Sequence, residues 1–77
     1  MDINAMIEKL CNLGELKFYQ WVPGHITCRL ALMPQYYREN GDADIAYTKE
    51  TADDALLGVY DYANGKWHLE ERSQKNR

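Results

Sequence analysis

The sequence predicts an α+β fold: a two-layer sandwich in the order α-β-β-β-α, with a three-stranded antiparallel sheet covered on one face by two helices. Three observations predict it. Apolar residues near the N-terminus recur at helical spacing. The segment from Leu16 to Leu32 alternates apolar and polar residues around Pro23-Gly24. A second helical stripe runs from Ala55 to Ala63. A chain of 77 residues holds one domain, expected over residues 1–71, with a polar C-terminal tail at 72–77.

The first helix is read from Ile3, Met6, Ile7, Leu10 and Leu13, with Asp2 as N-cap and Gly14 where a left-handed C-terminal cap belongs. Period two follows. Leu16, Phe18, Val22, Ile26, Cys28, Leu30 and Leu32 are expected to face the helices, joined by Ile45 and Tyr47 of a third strand from about Ala43 to Lys49. Pro34 cannot donate to a ladder and marks the end of the second strand. Asn40-Gly41 is the strongest two-residue hairpin signal in the chain and predicts the turn into the third strand. Thr51 reads as the N-cap of the last helix, with Asp53 and Asp54 in its first turn and Asn64-Gly65 at its end. Beyond it, Trp67 and Leu69 alternate with His68 and Glu70, which predicts a short fourth strand or an extended arm.

Composition excludes several classes. With 45% apolar and 27% charged residues, five Gly and two Pro, the chain is neither collagen-like nor a disordered acidic tail. No apolar run has the ~20 residues of a membrane span, and the acids within MDINAMIEKL argue against a signal peptide. A cytoplasmic, non-membrane protein is expected, with Cys11 and Cys28 as buried free thiols and a Cys11–Cys28 bridge left open by the sequence.

Charge is unevenly spread. The net charge is −3, yet three of the nine bases (Arg72, Lys75, Arg77) fall in the last six residues. Between Glu39 and Asp61 stand seven acids and a single base, Lys49. Such a body is the reverse of a phosphate-binding footprint. It fits a solvated surface, or an acidic face that meets a basic partner.

No catalytic or metal signature emerges, so no enzyme activity, metal or cofactor is expected. His25 and Cys28 point to opposite faces of a strand, which argues against a zinc site, and both cysteines sit on apolar stripes, which argues against the exposed thiolate a Cys–His nucleophile pair needs. Ser73, the only serine, lies in the tail. The carboxylates from Asp42 to Asp54 lack calcium-loop spacing.

Two surfaces qualify as binding sites. One joins Tyr36 and Tyr37 to Asp42, Asp44, Glu50, Asp53 and Asp54, an aromatic and acidic contact for a protein partner with a basic surface, such as a nucleic-acid-handling complex. The other is the sheet face left open by the helices: Lys17, Tyr19, Trp21, Thr27, Arg29, Ala31 and Met33. Its aromatics interleave with Lys17 and Arg29, a pattern suited to a homodimer or to cover by the C-terminal arm (Trp67, Leu69), to a protein partner or, as the third choice, to stacked bases.

The element order, with Pro23-Gly24-His25 between the first two strands, resembles the double-stranded RNA-binding domain and its Pro-x-His loop. That resemblance implies a place for His25 near RNA 2′-hydroxyls. The family's basic cluster at the start of its second helix is replaced here by Thr51-Ala52-Asp53-Asp54-Ala55, so the resemblance implies the fold without the usual RNA affinity. In size, charge and want of catalytic motifs the chain also resembles small phage- or mobile-element-encoded inhibitors such as the anti-CRISPR proteins. The expectation is therefore a small non-enzymatic binding module acting by surface occlusion or acidic nucleic-acid mimicry. The alternative is a nucleic-acid-binding module using Lys17, Tyr19, Trp21, His25 and Arg29.

Overall fold

The structure, a computed structural model, describes residues 2–70. Its elements are α1 (Ile3–Cys11), β1 (Gly14–Val22), β2 (His25–Leu32), α2 (Pro34–Asn40), β3 (Asp44–Lys49) and α3 (Ala52–Trp67). The three strands form one antiparallel sheet in the order β1-β2-β3. Both outer strands are therefore edges. The helices α1 and α3 pack on one face of this sheet, α1 over β1 and α3 over β2 and β3. The expected 72–77 tail lies outside the described residues.

Local chemistry explains most boundaries. Asp2 Oδ1 accepts from the Ala5 N–H at 2.8 Å and starts α1; Thr51 Oγ1 accepts from the Asp54 N–H at 3.1 Å and starts α3. Gly14 is no helix cap. It opens β1, where a Cβ would lie 2.0 Å from the Ala31 carbonyl oxygen, so the strands meet closely because this residue has no side chain.

The predicted hairpin at Asn40-Gly41 is replaced by a helix. Pro34 occupies the first turn of α2, where its missing N–H costs nothing, and Gly41 closes α2 in the left-handed conformation (φ 88°). Asn-Gly serves both turn types equally well, since each needs a positive φ. What decides between them is the docking of α2 on α3 through Tyr36, Glu39 and Asn40. Tyr36 packs edge-on against Trp67 with ring centroids 5.6 Å apart. Two hydrogen bonds hold the same contact: Trp67 Nε1 donates to Glu39 Oε1 at 3.0 Å, and Tyr62 Oη donates to Asn40 Oδ1 at 2.6 Å. A tight hairpin would forfeit all three.

The C-terminal segment also departs from expectation. Helix α3 runs through Asn64-Gly65 to Trp67, and His68 caps it in the left-handed region (φ 53°). Helical turn resumes at Leu69 and Glu70, so no fourth strand forms there. Trp67 and Leu69 are buried in the helix-side core with Leu10, Leu13, Cys28, Leu30, Ile45, Leu56, Val59 and Ala63. Extending α3 buries a tryptophan that a solvated arm would leave wet, which outweighs the modest helix penalty of Gly65. The Tyr60 hydroxyl, buried in the same core, has no hydrogen-bond partner among the described residues.

The expected inward face is covered only in part. Cys28, Leu30, Leu32 and Ile45 are buried, whereas Phe18 and Val22 are 43% and 52% exposed. For Val22 the expectation fails because a bulge between Gln20 and Val22 pairs it with His25, out of phase with the inward residues; for Phe18, length explains the exposure. Nine helical residues make α1 about 14 Å long, while the nine residues of β1 extend about 30 Å. The distal half of the β1–β2 hairpin thus projects beyond the helix that packs on β1.

Close packing of α3 on β3 depends on Gly58, where a Cβ would lie 2.9 Å from the Tyr47 ring; at Gly65 a Cβ would meet nothing within 4 Å. Gly65→Ala should stabilise the fold by about 1 kcal/mol through helix propensity. Gly58→Ala should lose that gain and a further ~1–2 kcal/mol to overpacking. Urea titration of both variants reads the opposite signs.

Candidate functional site: the open sheet face and the projecting hairpin

The face opposite the helices is built by alternation. From β1 it receives Glu15, Lys17, Tyr19 and Trp21; from β2, Thr27, Arg29 and Ala31; and from β3, Asp44, Ala46 and Thr48. The register sets Thr27 between Tyr19 and Thr48, and Arg29 between Lys17 and Ala46. Near the tip the β1–β2 register shifts between Gln20 and Val22, a bulge that turns the Trp21 side chain across the sheet. Its indole Nε1 donates to Thr27 Oγ1 at 3.1 Å, and Thr27 Oγ1 lies 2.6 Å from Thr48 Oγ1. Thr27 is thereby almost fully covered, although it belongs to the open face. Trp21 itself remains 73% exposed. Beside it stands Tyr19, ring centroid 6.3 Å away.

The cations of this face are already matched. Lys17 Nζ lies 3.5 Å from Glu15 Oε1, and the Arg29 guanidinium bonds the Asp44 carboxylate. Asp44, with a smaller contribution from the Tyr19 hydroxyl, raises the Arg29 pKa above its ordinary value. These exposed pairs add little stability. Their effect is to bring the formal charge of the face to zero. Between them, Glu15, Lys17, Tyr19, Arg29 and Ala31 enclose a hollow of about 130 Å³, well below the ~300 Å³ at which small-molecule pockets begin.

The acidic residues divide between two places. Asp42 and Asp44 line one hollow with Asn40, Tyr47 and Tyr62, and Asp44 also reaches Arg29 on the open sheet face. Glu50, Asp54 and Asp61 rim a separate groove of about 540 Å³ with Lys49, over Leu57 and Gly58. Asp53 is exposed in the first turn of α3, where the positive end of the helix favours it. The tyrosines separate too: Tyr36 is half-buried against Trp67, while Tyr37 is 48% exposed. Met33 is exposed just before α2, and His25 is exposed at the base of the Pro23-Gly24 turn.

Trp67 and Leu69 lie on the helix side of the sheet and therefore do not close the open face. The sequence reading missed the Thr27–Thr48 bridge and the pairing of Arg29 with Asp44. Both required the β2–β3 register, which the misread Asn40-Gly41 turn concealed.

The cysteines divide. Cys28 is buried, and desolvation pushes its thiol up to about 11, whereas Cys11 is exposed on α1; both are free. The expectation of two buried thiols holds for Cys28 alone, because Cys11 falls on the solvent edge of the α1 stripe. Among the described residues, no group of three or more His, Cys, Asp or Glu side chains could hold a metal ion. Likewise no helix there is long and apolar enough to cross a membrane. No protein-family model, curated protein or solved structure matches this chain.

A thiol reagent such as Ellman's should modify one cysteine rapidly in the native protein, and the second only after denaturant is added. Cys11→Ser should abolish the fast phase. Fast reaction of both thiols would contradict the burial of Cys28.

Proposed function

We propose that this protein is a non-enzymatic protein-binding module whose contact surface is the open sheet face at the projecting β1–β2 hairpin. The observation that carries this reading is the exposure of Trp21. An indole that is 73% exposed, flanked by Tyr19 and by a neutral field of paired charges, has the make-up of an interface anchor. Aromatics give large contact area at small conformational cost, and here the Trp21–Thr27 hydrogen bond limits the indole's freedom before any partner arrives.

Glu50, Asp53, Asp54 and Asp61 supply the steering part of the proposal. They give the β3–α3 side a negative field, which speeds encounter with a basic partner without having to touch it. An inhibitor that occludes a surface of a nucleic-acid-handling complex is the form of this function suggested by the chain's size and acidity.

The nucleic-acid reading is disfavoured by pairing. Lys17 and Arg29, the two cations beside the aromatic platform, are committed to Glu15 and Asp44. Phosphate contact would first have to displace those carboxylates.

A tagged pull-down with nuclease treatment tests the reading. One protein complex should be retained in stoichiometric amount, with Trp21→Ala weakening retention at least ~10-fold, as expected for a hot-spot aromatic. The double variant Asp53→Lys, Asp54→Lys should chiefly slow association. Recovery that vanishes with nuclease, or binding indifferent to Trp21→Ala, would overturn the proposal.

A further inference from the structure

Among the described residues no strand pairs with the outer edge of β1, and apolar side chains are exposed near its middle. Phe18 is the midpoint of Gly14–Val22 and is 43% exposed on the helix side; Ile3, at the start of α1, is 37% exposed. Because α1 runs back over β1 through a short turn, its ~14 Å length brings Ile3 about level with Phe18, ~13 Å along the strand. Long edge strands with exposed apolar residues are templates for pairing with another chain.

We propose that β1 pairs antiparallel with β1 of a second copy of this chain, about a two-fold axis at Phe18, to give a continuous six-stranded sheet. The register follows from symmetry and charge. Centring on Phe18 pairs the regular stretch from Leu16 to Gln20, ahead of the bulge, and sets Phe18 against Phe18 of the second copy. On the open face it sets Lys17 opposite Tyr19 and Glu15 opposite Trp21, so no like charges stand directly opposite one another. Centring on Lys17 would oppose two ammonium groups, which is unfavourable. The axis is perpendicular to the sheet, so both copies of α1 lie on one side and the two Ile3 side chains flank the Phe18 pair. Along the seam each copy brings one cation and one anion of β1, Lys17 and Glu15, so the two edges can meet without net repulsion.

This interface runs along the β1 edge and touches Tyr19 and Trp21 of the open face as well as Phe18, but it needs no partner other than a second copy and can be read without the one proposed for Trp21. Purified protein alone reads it. Sedimentation equilibrium should show wild-type monomer giving way to dimer as concentration rises from ~1 μM to ~1 mM, a range suited to modest interfaces. Phe18→Asp and Phe18→Lys should each raise the dissociation constant at least ~10-fold, since each opposes like charges at the axis. Mixed together, those two variants should form a one-to-one heterodimer. Phe18→Ser reads the same loss of pairing without adding a charge, should either charged variant fail to fold by circular dichroism. A wild type that stays monomeric throughout, a dimer unaffected by Phe18 substitution, or a charged pair that does not recombine would each overturn the proposal.

Discussion

A short helix packed on a long strand is the constraint from which the surface of this protein follows. Helix α1 covers about half of β1, and α3 is committed to β2 and β3 by the close approach of Gly58 to Tyr47. With both helices placed, the distal hairpin has no helix over its β1 side. Phe18 is left exposed on one side, Tyr19 and Trp21 on the other, and Val22 at the tip beyond the bulge. A larger domain would bury such residues under another element. Among the described residues no further element covers them, so a fold stabilised at one end presents its remaining apolar surface at the other.

The hydrogen bonds show where rigidity has been placed. Trp67 joins α2 to α3 through Tyr36 and Glu39, closing the core on the side away from the hairpin. Trp21 is fixed differently, by one hydrogen bond to a threonine pair that bridges β2 and β3. The first tryptophan is buried and structural. The second is anchored at its polar edge while its ring faces water, an arrangement that suits recognition because little ordering remains to be done on binding.

Much of this architecture was legible in the residues. The α1 stripe, the Asp2 and Thr51 caps, the period-two run from Leu16 to Leu32 and the Pro23-Gly24 turn all fold as their chemistry dictates. Failures arose where one local signal serves two structures. Asn40-Gly41 caps a helix as readily as it turns a hairpin, and only the long-range contacts of Tyr36, Glu39 and Asn40 select the helix. The alternation of Trp67 and Leu69 resembles a strand, yet Trp67 is the last residue of a helix stripe and Leu69 follows a left-handed cap. Of the candidate sites, the open face could be read from alternation, since Tyr19, Trp21 and Arg29 share it. The acidic and aromatic group could not be judged, because its members are neighbours in sequence and belong to different elements in space. Asp44 shows this most clearly, as it pairs with Arg29 across the sheet.

The central claim is that the indole of Trp21 stands in water on a bare sheet face while that of Trp67 is buried. Acrylamide quenching of tryptophan fluorescence, compared between the wild type and Trp21→Phe, tests it directly. The wild type should show two populations, one freely quenched and red-shifted, the other protected and blue-shifted, with Trp21→Phe removing only the first. A single protected population in dilute wild-type protein would mean that the open face is covered, and would contradict the account.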